Sequence, residues 1–182
     1  MTLQTGVLDD LAAPEWLGLF ENVQQSWFRL ETLQAYSVDY ERDEYDRFLA
    51  TGRLDRPVND WQQMITRHTT AGRSLRRVHI VVEPLTDYLR YEVAAYQLNN
   101  RAGEDIRLIP VRSGSWPGGL PTGRDFWLFD DAEVWDMHYD ADGRFVRATR
   151  SESDRYLDQC RQWRDTALDQ AVTLADYLRA AA

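Results

Sequence analysis

The residues with most chemical potential in this chain are its three histidines, because imidazole titrates near neutrality and orients well against a carboxylate. His79 stands two residues from Arg77 and four before Glu83, with Asp87 and Glu92 further on, a set that could form an acid–base pair or a hydrolytic site. His68 and His138 fall in other segments, and no two histidines share a ligand spacing such as HExxH, so no metal centre and no cofactor is expected. The alternative for each histidine is a satisfied core or surface residue. Asp140, Asp142 and Gly143 look like part of a calcium loop, but the twelve-residue frame and terminal glutamate are missing, and they read as hairpin residues.

The segment Gly118–Asp125 has the glycine spacing of a phosphate loop. Arg124 stands where such a loop needs lysine, Asp125 stands where it needs a hydroxyl, and the residues that follow read as strand, so it is expected to be a surface loop. In the Gly- and Pro-rich loop Ser113–Gly123, Trp116 lies between Arg112 and Arg124, placed to cover a ligand or meet a partner, whereas the other tryptophans fall on core-like positions. Cys160, on the apolar face of a late helix, reads as a small buried hydrophobe rather than a nucleophile.

All 21 basic residues are arginine, which excludes lysine Schiff-base chemistry and lysine-dependent phosphate sites. Thirty acids give a net charge of -9, which disfavours direct contact with nucleic acid. The charge is uneven: residues 1–60 hold 12 acids and 5 arginines, 61–124 hold 5 and 9, and 125–182 hold 13 and 7. If Arg67, Arg73, Arg76, Arg77, Arg101, Arg107, Arg112 and Arg124 share a face, they make an anion site on an acidic body. Otherwise they pair one by one with acids from the flanking thirds.

The elements that must position these groups can be read from periodicity. Residues 14–25 read as a core helix, 26–36 as a half-buried strand, and 39–51 as a helix ended by Gly52. A helix carrying Trp61, Met64, Ile65 and His68 follows, closed by Gly72. Leu75–Val82 reads as a strand, Pro84 onward as a long helix, and Ile106–Val111 as a short strand. Strands at Phe126–Phe129 and Glu133–Tyr139, joined by a turn at Asp130-Asp131, and at Arg144–Arg150 precede a last helix capped by Ser151 or Ser153, which Thr173, with Asp176 three residues on, restarts near Leu174. This predicts a single α+β domain over 1–182, a mostly antiparallel sheet of about five or six strands covered by helices, with 1–13 as a loose N-terminal arm. One cysteine, no long apolar run and no leader-like start predict a soluble, cytoplasmic chain.

The segments Arg77–Tyr88, Arg90-Tyr91-Glu92, Asn100–Glu104 and Asp125–Asp130 resemble an actinobacterial family of unknown function, with similarity from Leu19-Phe20 to the last helix. The resemblance implies no activity. It implies proximity to helix-turn-helix regulators, and with the acidic surface it suggests a non-enzymatic regulatory or protein-interaction module whose partner is such a regulator. The competing expectation is a small-anion or phosphoester ligand-binding protein or hydrolase using Arg77, His79, Glu83 and Arg124, with Arg112 and Trp116 beside them. Neither membrane nor direct nucleic-acid contact is expected, and the oligomeric state is open.

Overall fold

The computed structural model describes residues 6–181. Strands β1 (Val7–Leu8), β2 (Ser26–Glu31), β3 (Ser74–Glu83), β4 (Asp105–Arg112), β5 (Asp125–Phe129), β6 (Glu133–Tyr139), β7 (Phe145–Ser151) and β8 (Val172–Thr173) form one sheet in the order β1-β7-β6-β5-β2-β3-β4-β8. The six helices are α1 (Pro14–Glu21), α2 (Arg42–Thr51), α3 (Asp60–Thr70), α4 (Asp87–Ala102), α5 (Asp154–Gln170) and α6 (Leu174–Ala180). The class is α+β, and the sheet is mixed but mostly antiparallel: β2, β3 and β4 run parallel, and every other pairing is antiparallel. Six strands are long, and two two-residue strands close the edges.

Helices α1 and α3 pack on one face of the sheet through Trp16, Phe20, Met64 and Ile65, which meet Trp27, Trp127, Phe129 and Trp135. Along β3 and β4 the same face is closed by α4 and α6 through Leu89, Val93, Leu174 and Tyr177. The opposite face carries Phe28, Leu30, Val78, Ile80, Phe126 and Leu128, covered by α5 and the 113–123 loop. Because a strand alternates its side chains, the pairing of Arg29 with Arg77 and of Glu31 with His79 places all four on the first face. Strand β2 is therefore buried on both sides, not half-buried, and its polar alternation points inward.

Several boundaries differ from the sequence reading for local reasons. The second strand stops at Glu31, not Tyr36, because the Thr32 backbone N–H and hydroxyl both donate to Asp125 (2.7 and 2.8 Å) and turn the chain aside. The long helix begins at Asp87 rather than Pro84, because the Thr86 hydroxyl accepts the Leu89 N–H as N-cap. Of the arm expected over 1–13, residues 1–5 lie outside the described residues. The rest is held, since Val7 and Leu8 pair with Thr149 and Ala148, and Leu8 and Leu11 pack on the core. Among the described residues no helix is long and apolar enough to cross a membrane.

Two turn signals work as read. Asp130 and Asp131 both adopt positive φ (50° and 57°), as in a type I′ turn, and the Asp130 carboxylate accepts the backbone N–H groups of Gln24, Gln25 and Ser26. At Gly143 (φ 78°) an added Cβ would sit 2.7 Å from the Ala35 carbonyl oxygen, so only glycine lets the β6–β7 turn lie against that segment.

His68 supplies a pH test of this packing. It is 3 % exposed beneath α3, edge-on to Trp27, with its Nδ1 2.7 Å from the Arg73 guanidinium. Burial, then the Arg73 charge, pushes its pKa below the usual 6.5. The unfolded chain therefore takes up the proton first as pH falls, so the stability His68 contributes is present above about 6.5 and is lost as pH drops towards the lower folded value. Urea midpoints at pH 7.5 and 5.0 are expected to differ less for His68→Gln than for the native chain, and an unchanged difference would contradict this account.

Candidate functional site

The two arginines on adjacent parallel strands are neighbours, an arrangement that needs anionic partners. Glu31 Oε1 supplies one, accepting from Arg77 Nη1 (2.8 Å) and from Arg29 Nε (3.3 Å). Arg29 Nη2 also donates to Asp125 Oδ2 (3.0 Å) and the Tyr139 hydroxyl (2.9 Å), while Arg77 Nε donates to Glu104 Oε1 (3.2 Å). Both guanidinium groups lie over the Trp127 ring, at 5.2 and 5.5 Å from its centroid. Glu31, Arg29, Arg77, Glu104 and Asp125 are all buried. Burial alone would raise the Glu31 pKa, yet Arg77 and Arg29 outweigh it and hold the carboxyl far below the usual range.

His79 stands next to this centre and is fully buried. Its Nε2 lies 2.7 Å from the Leu33 carbonyl, which can only accept, so Nε2 carries the hydrogen and a neutral ring keeps its lone pair on Nδ1. Burial lowers the pKa of His79, which favours that neutral ring. The Tyr96 hydroxyl lies 2.8 Å from Nδ1 and 2.6 Å from Glu31 Oε2, two acceptors that compete for its single proton. Glu92 approaches from α4, with Oε2 3.4 Å from Nδ1. That oxygen is sealed from water and has no hydrogen-bond partner. Burial, then the Glu31 charge, pushes the Glu92 pKa well above the usual carboxylate value, and burial likewise raises that of Glu104.

A cleft of about 370 Å³ opens over this floor. Arg29, Glu31, Arg77 and Glu92 line its base, and rings from α4 and the 36–40 segment, among them Tyr36, Tyr40, Tyr88 and Tyr91, line its upper wall. Glu41 also faces it; burial raises its pKa against the hydrogen bond that the Tyr88 hydroxyl gives it. Helix α2 follows the Tyr40–Glu41 wall without lining the cleft itself; it buries none of its residues fully and rests on α4 through Tyr45 and Phe48 against Tyr88 and Tyr91.

The six residues anticipated from sequence do not form one site. Arg77 and His79 are in the buried centre. Glu83, further along the same strand face, accepts from the Tyr177 hydroxyl (3.1 Å) and lies beside Arg112 at the far end of the ladder. Trp116 belongs to the opposite face, packed with the α5 core and donating its indole N–H to Pro121. Arg124 is there too, bound to the Tyr156 hydroxyl (2.7 Å) and near Asp136. The sheet itself separates the 112–124 loop from His79, so the hydrolase expected to join them has no common pocket. The arginines of the middle third are likewise dispersed: Arg67 pairs with Glu21, Arg107 with Asp105, and Arg77 with Glu31 and Glu104. Cys160 is buried and its thiol is pushed up to about 12 by burial, as suits a core residue.

Sequence reasoning set Glu92 beside His79 but missed the rest of the centre, Arg29, Glu31, Tyr96, Glu104 and Asp125. The available signal was the Arg29/Glu31 alternation facing the Arg77/His79 alternation on a second strand. Polar alternation ordinarily marks a solvated face, and only the helices stacked above reverse that meaning.

Residues 14–179 match the model of a family described as a domain of unknown function, DUF6879. No curated protein matches the chain.

Removing one member of the ion network strands the others. Arg77→Met is expected to lower unfolding free energy by about 3–5 kcal/mol, because Glu31 and Glu104 lose a buried partner. Urea denaturation measures this, and a loss below about 1 kcal/mol would show that the network does not hold the sheet centre.

Proposed function

The chain belongs to the DUF6879 family, and we propose that it is a non-enzymatic regulatory module whose cleft receives a cation-bearing small molecule. The observation behind this reading is the charge balance of the floor. Two guanidiniums, Arg29 and Arg77, face four carboxyl groups, Glu31, Glu92, Glu104 and Asp125, while in the wall Glu41 is matched by Arg56, which is itself paired with Glu44. Carboxyl groups kept from water without enough positive charge take up protons or a cation, and Glu41 and Glu92 both show the raised pKa values of that situation. Tyrosine rings around the same space present negative π faces, the surface that recognises ammonium groups.

Occupancy of the cleft is read by another protein. The net charge of -9 favours a basic partner, and a helix-turn-helix regulator is the class that the sequence resemblance implies. A small-anion reading has less support, because the arginines it would use are spread over both sheet faces and engaged with acids.

A panel of primary and quaternary amines, matched by carboxylates of the same carbon skeleton, tests the cleft by thermal shift. At least one amine is expected to raise the melting temperature, with the shift lost in Glu41→Gln. Stabilisation by the carboxylates alone would reverse the charge assignment. Pull-down of a co-encoded helix-turn-helix regulator at low salt tests the partner, and absence of any complex there removes it.

A further inference from the structure

We propose that the innermost part of the cleft is a binding site for one first-row divalent metal ion, held by Glu31, His79 and Glu92. This deepens the reading of the cleft as a cation receptor and rests on it. One ligand atom from each of the three residues, Glu31 Oε2, His79 Nδ1 and a Glu92 carboxylate oxygen, lies within 4.8 Å of the other two. His79 Nδ1 is 3.4 Å from Glu92 Oε2 and 3.8 Å from Glu31 Oε2. Ligand bonds of about 2.1 Å set neighbouring donors about 3–3.5 Å apart, so closing on an ion requires movements of only a few tenths of an ångström for these pairs.

The state of each donor fits the role. The Leu33 carbonyl fixes the hydrogen of His79 on Nε2 and leaves the Nδ1 lone pair, which faces the Tyr96 hydroxyl, to coordinate, the same outer support that metal-bound histidines receive. Arg77 and Arg29 occupy Glu31 Oε1 and so orient Oε2 towards the triangle. Glu92 Oε2 has no hydrogen-bond partner and no contact with water. The Tyr96 hydroxyl, 2.8 Å from Nδ1 and 2.6 Å from Glu31 Oε2, is placed as a fourth, neutral oxygen donor. Charge balance points the same way, because four carboxyl groups, once all are ionised, against two guanidiniums leave two negative charges, the amount that one divalent ion neutralises. One imidazole with carboxylate oxygens favours Zn²⁺, Fe²⁺ or Mn²⁺ over Mg²⁺ or Ca²⁺, which take all-oxygen sets. No spacing motif announces the site, since its ligands come from β2, β3 and α4 and meet only through the sheet register and the packing of α4.

The test uses the full chain stripped with a chelator and then titrated with Zn²⁺, Mn²⁺ and, as a control, Mg²⁺, read by native mass spectrometry and calorimetry. One Zn²⁺ or Mn²⁺ per chain is expected, with affinity at least tenfold weaker in Glu92→Gln and in His79→Ala, and unchanged in His138→Ala. Bound Co²⁺ should give visible d–d absorption that disappears in Glu92→Gln. Glu92→Gln carries the test if His79→Ala does not fold, because it keeps the side-chain shape while removing the charge. No stoichiometric uptake, uptake unaltered in Glu92→Gln, or uptake abolished in His138→Ala overturns the metal site. Stabilisation by an amine without metal uptake overturns the metal site while leaving the cation-receptor reading intact, and failure of both removes the two together.

Discussion

The centre of this fold depends on one oxygen, Glu31 Oε1, shared by two guanidiniums that the parallel pairing of β2 and β3 sets side by side. Two buried arginines in adjacent register would repel each other without it. Each strand at the middle of the sheet contributes to the arrangement: Asp125 from β5, Arg29 and Glu31 from β2, and Arg77 and His79 from β3, with Glu104 on the residue just before β4. A one-residue slip of β2 against β3 would turn Arg29 and Glu31 into the apolar face under α5 and bring Phe28 and Leu30 beside Arg77 and His79. Desolvation offsets much of the Coulombic gain in such a network, so its main effect is to make the observed register the only tolerable one.

Once the register is set, the remaining features follow. Helix α4 crosses the parallel strands and carries Tyr96 and Glu92 down onto His79. The aromatic layer from α1 and α3 seals one side of the charged centre and leaves the cleft as the route towards it. Carboxyl groups then outnumber guanidiniums in a space without enough water to solvate them, a condition that only protons or an added cation can relieve.

Much of the scaffold was legible because it rests on local rules. Gly52 takes the left-handed conformation after α2, Ser153 and Thr173 cap α5 and α6, and Asp130-Asp131 turn β5 into β6. The parallel run β2-β3-β4 was not legible, since which strands pair is decided by long-range packing. Nor was the site. Arg29 and Glu31 have the spacing of an exposed strand face, and only tertiary cover makes them interior. Glu92 read as a carboxylate that the helix after His79 could offer, but its meeting with Glu31, 61 positions earlier, is a property of the folded chain alone. His79 and Arg77 were rightly singled out as neighbours, while Trp116 and Arg124 were assigned to the wrong side of the sheet, because nothing in a strand's sequence says which of two buried faces a distant loop will cover.

The two-residue strands β1 and β8 have a consequence for how the molecule keeps to itself. Val7–Leu8 cover the outer ladder of β7 at Thr149 and Ala148, and Val172–Thr173 cover that of β4 at Leu108 and Arg107. They act as selvedges, binding each margin of the fabric so that it cannot be stitched to a neighbouring copy. A fusion or cleavage that lifts either short segment would leave the charged centre untouched and yet bare amide rows suited to sheet-to-sheet assembly.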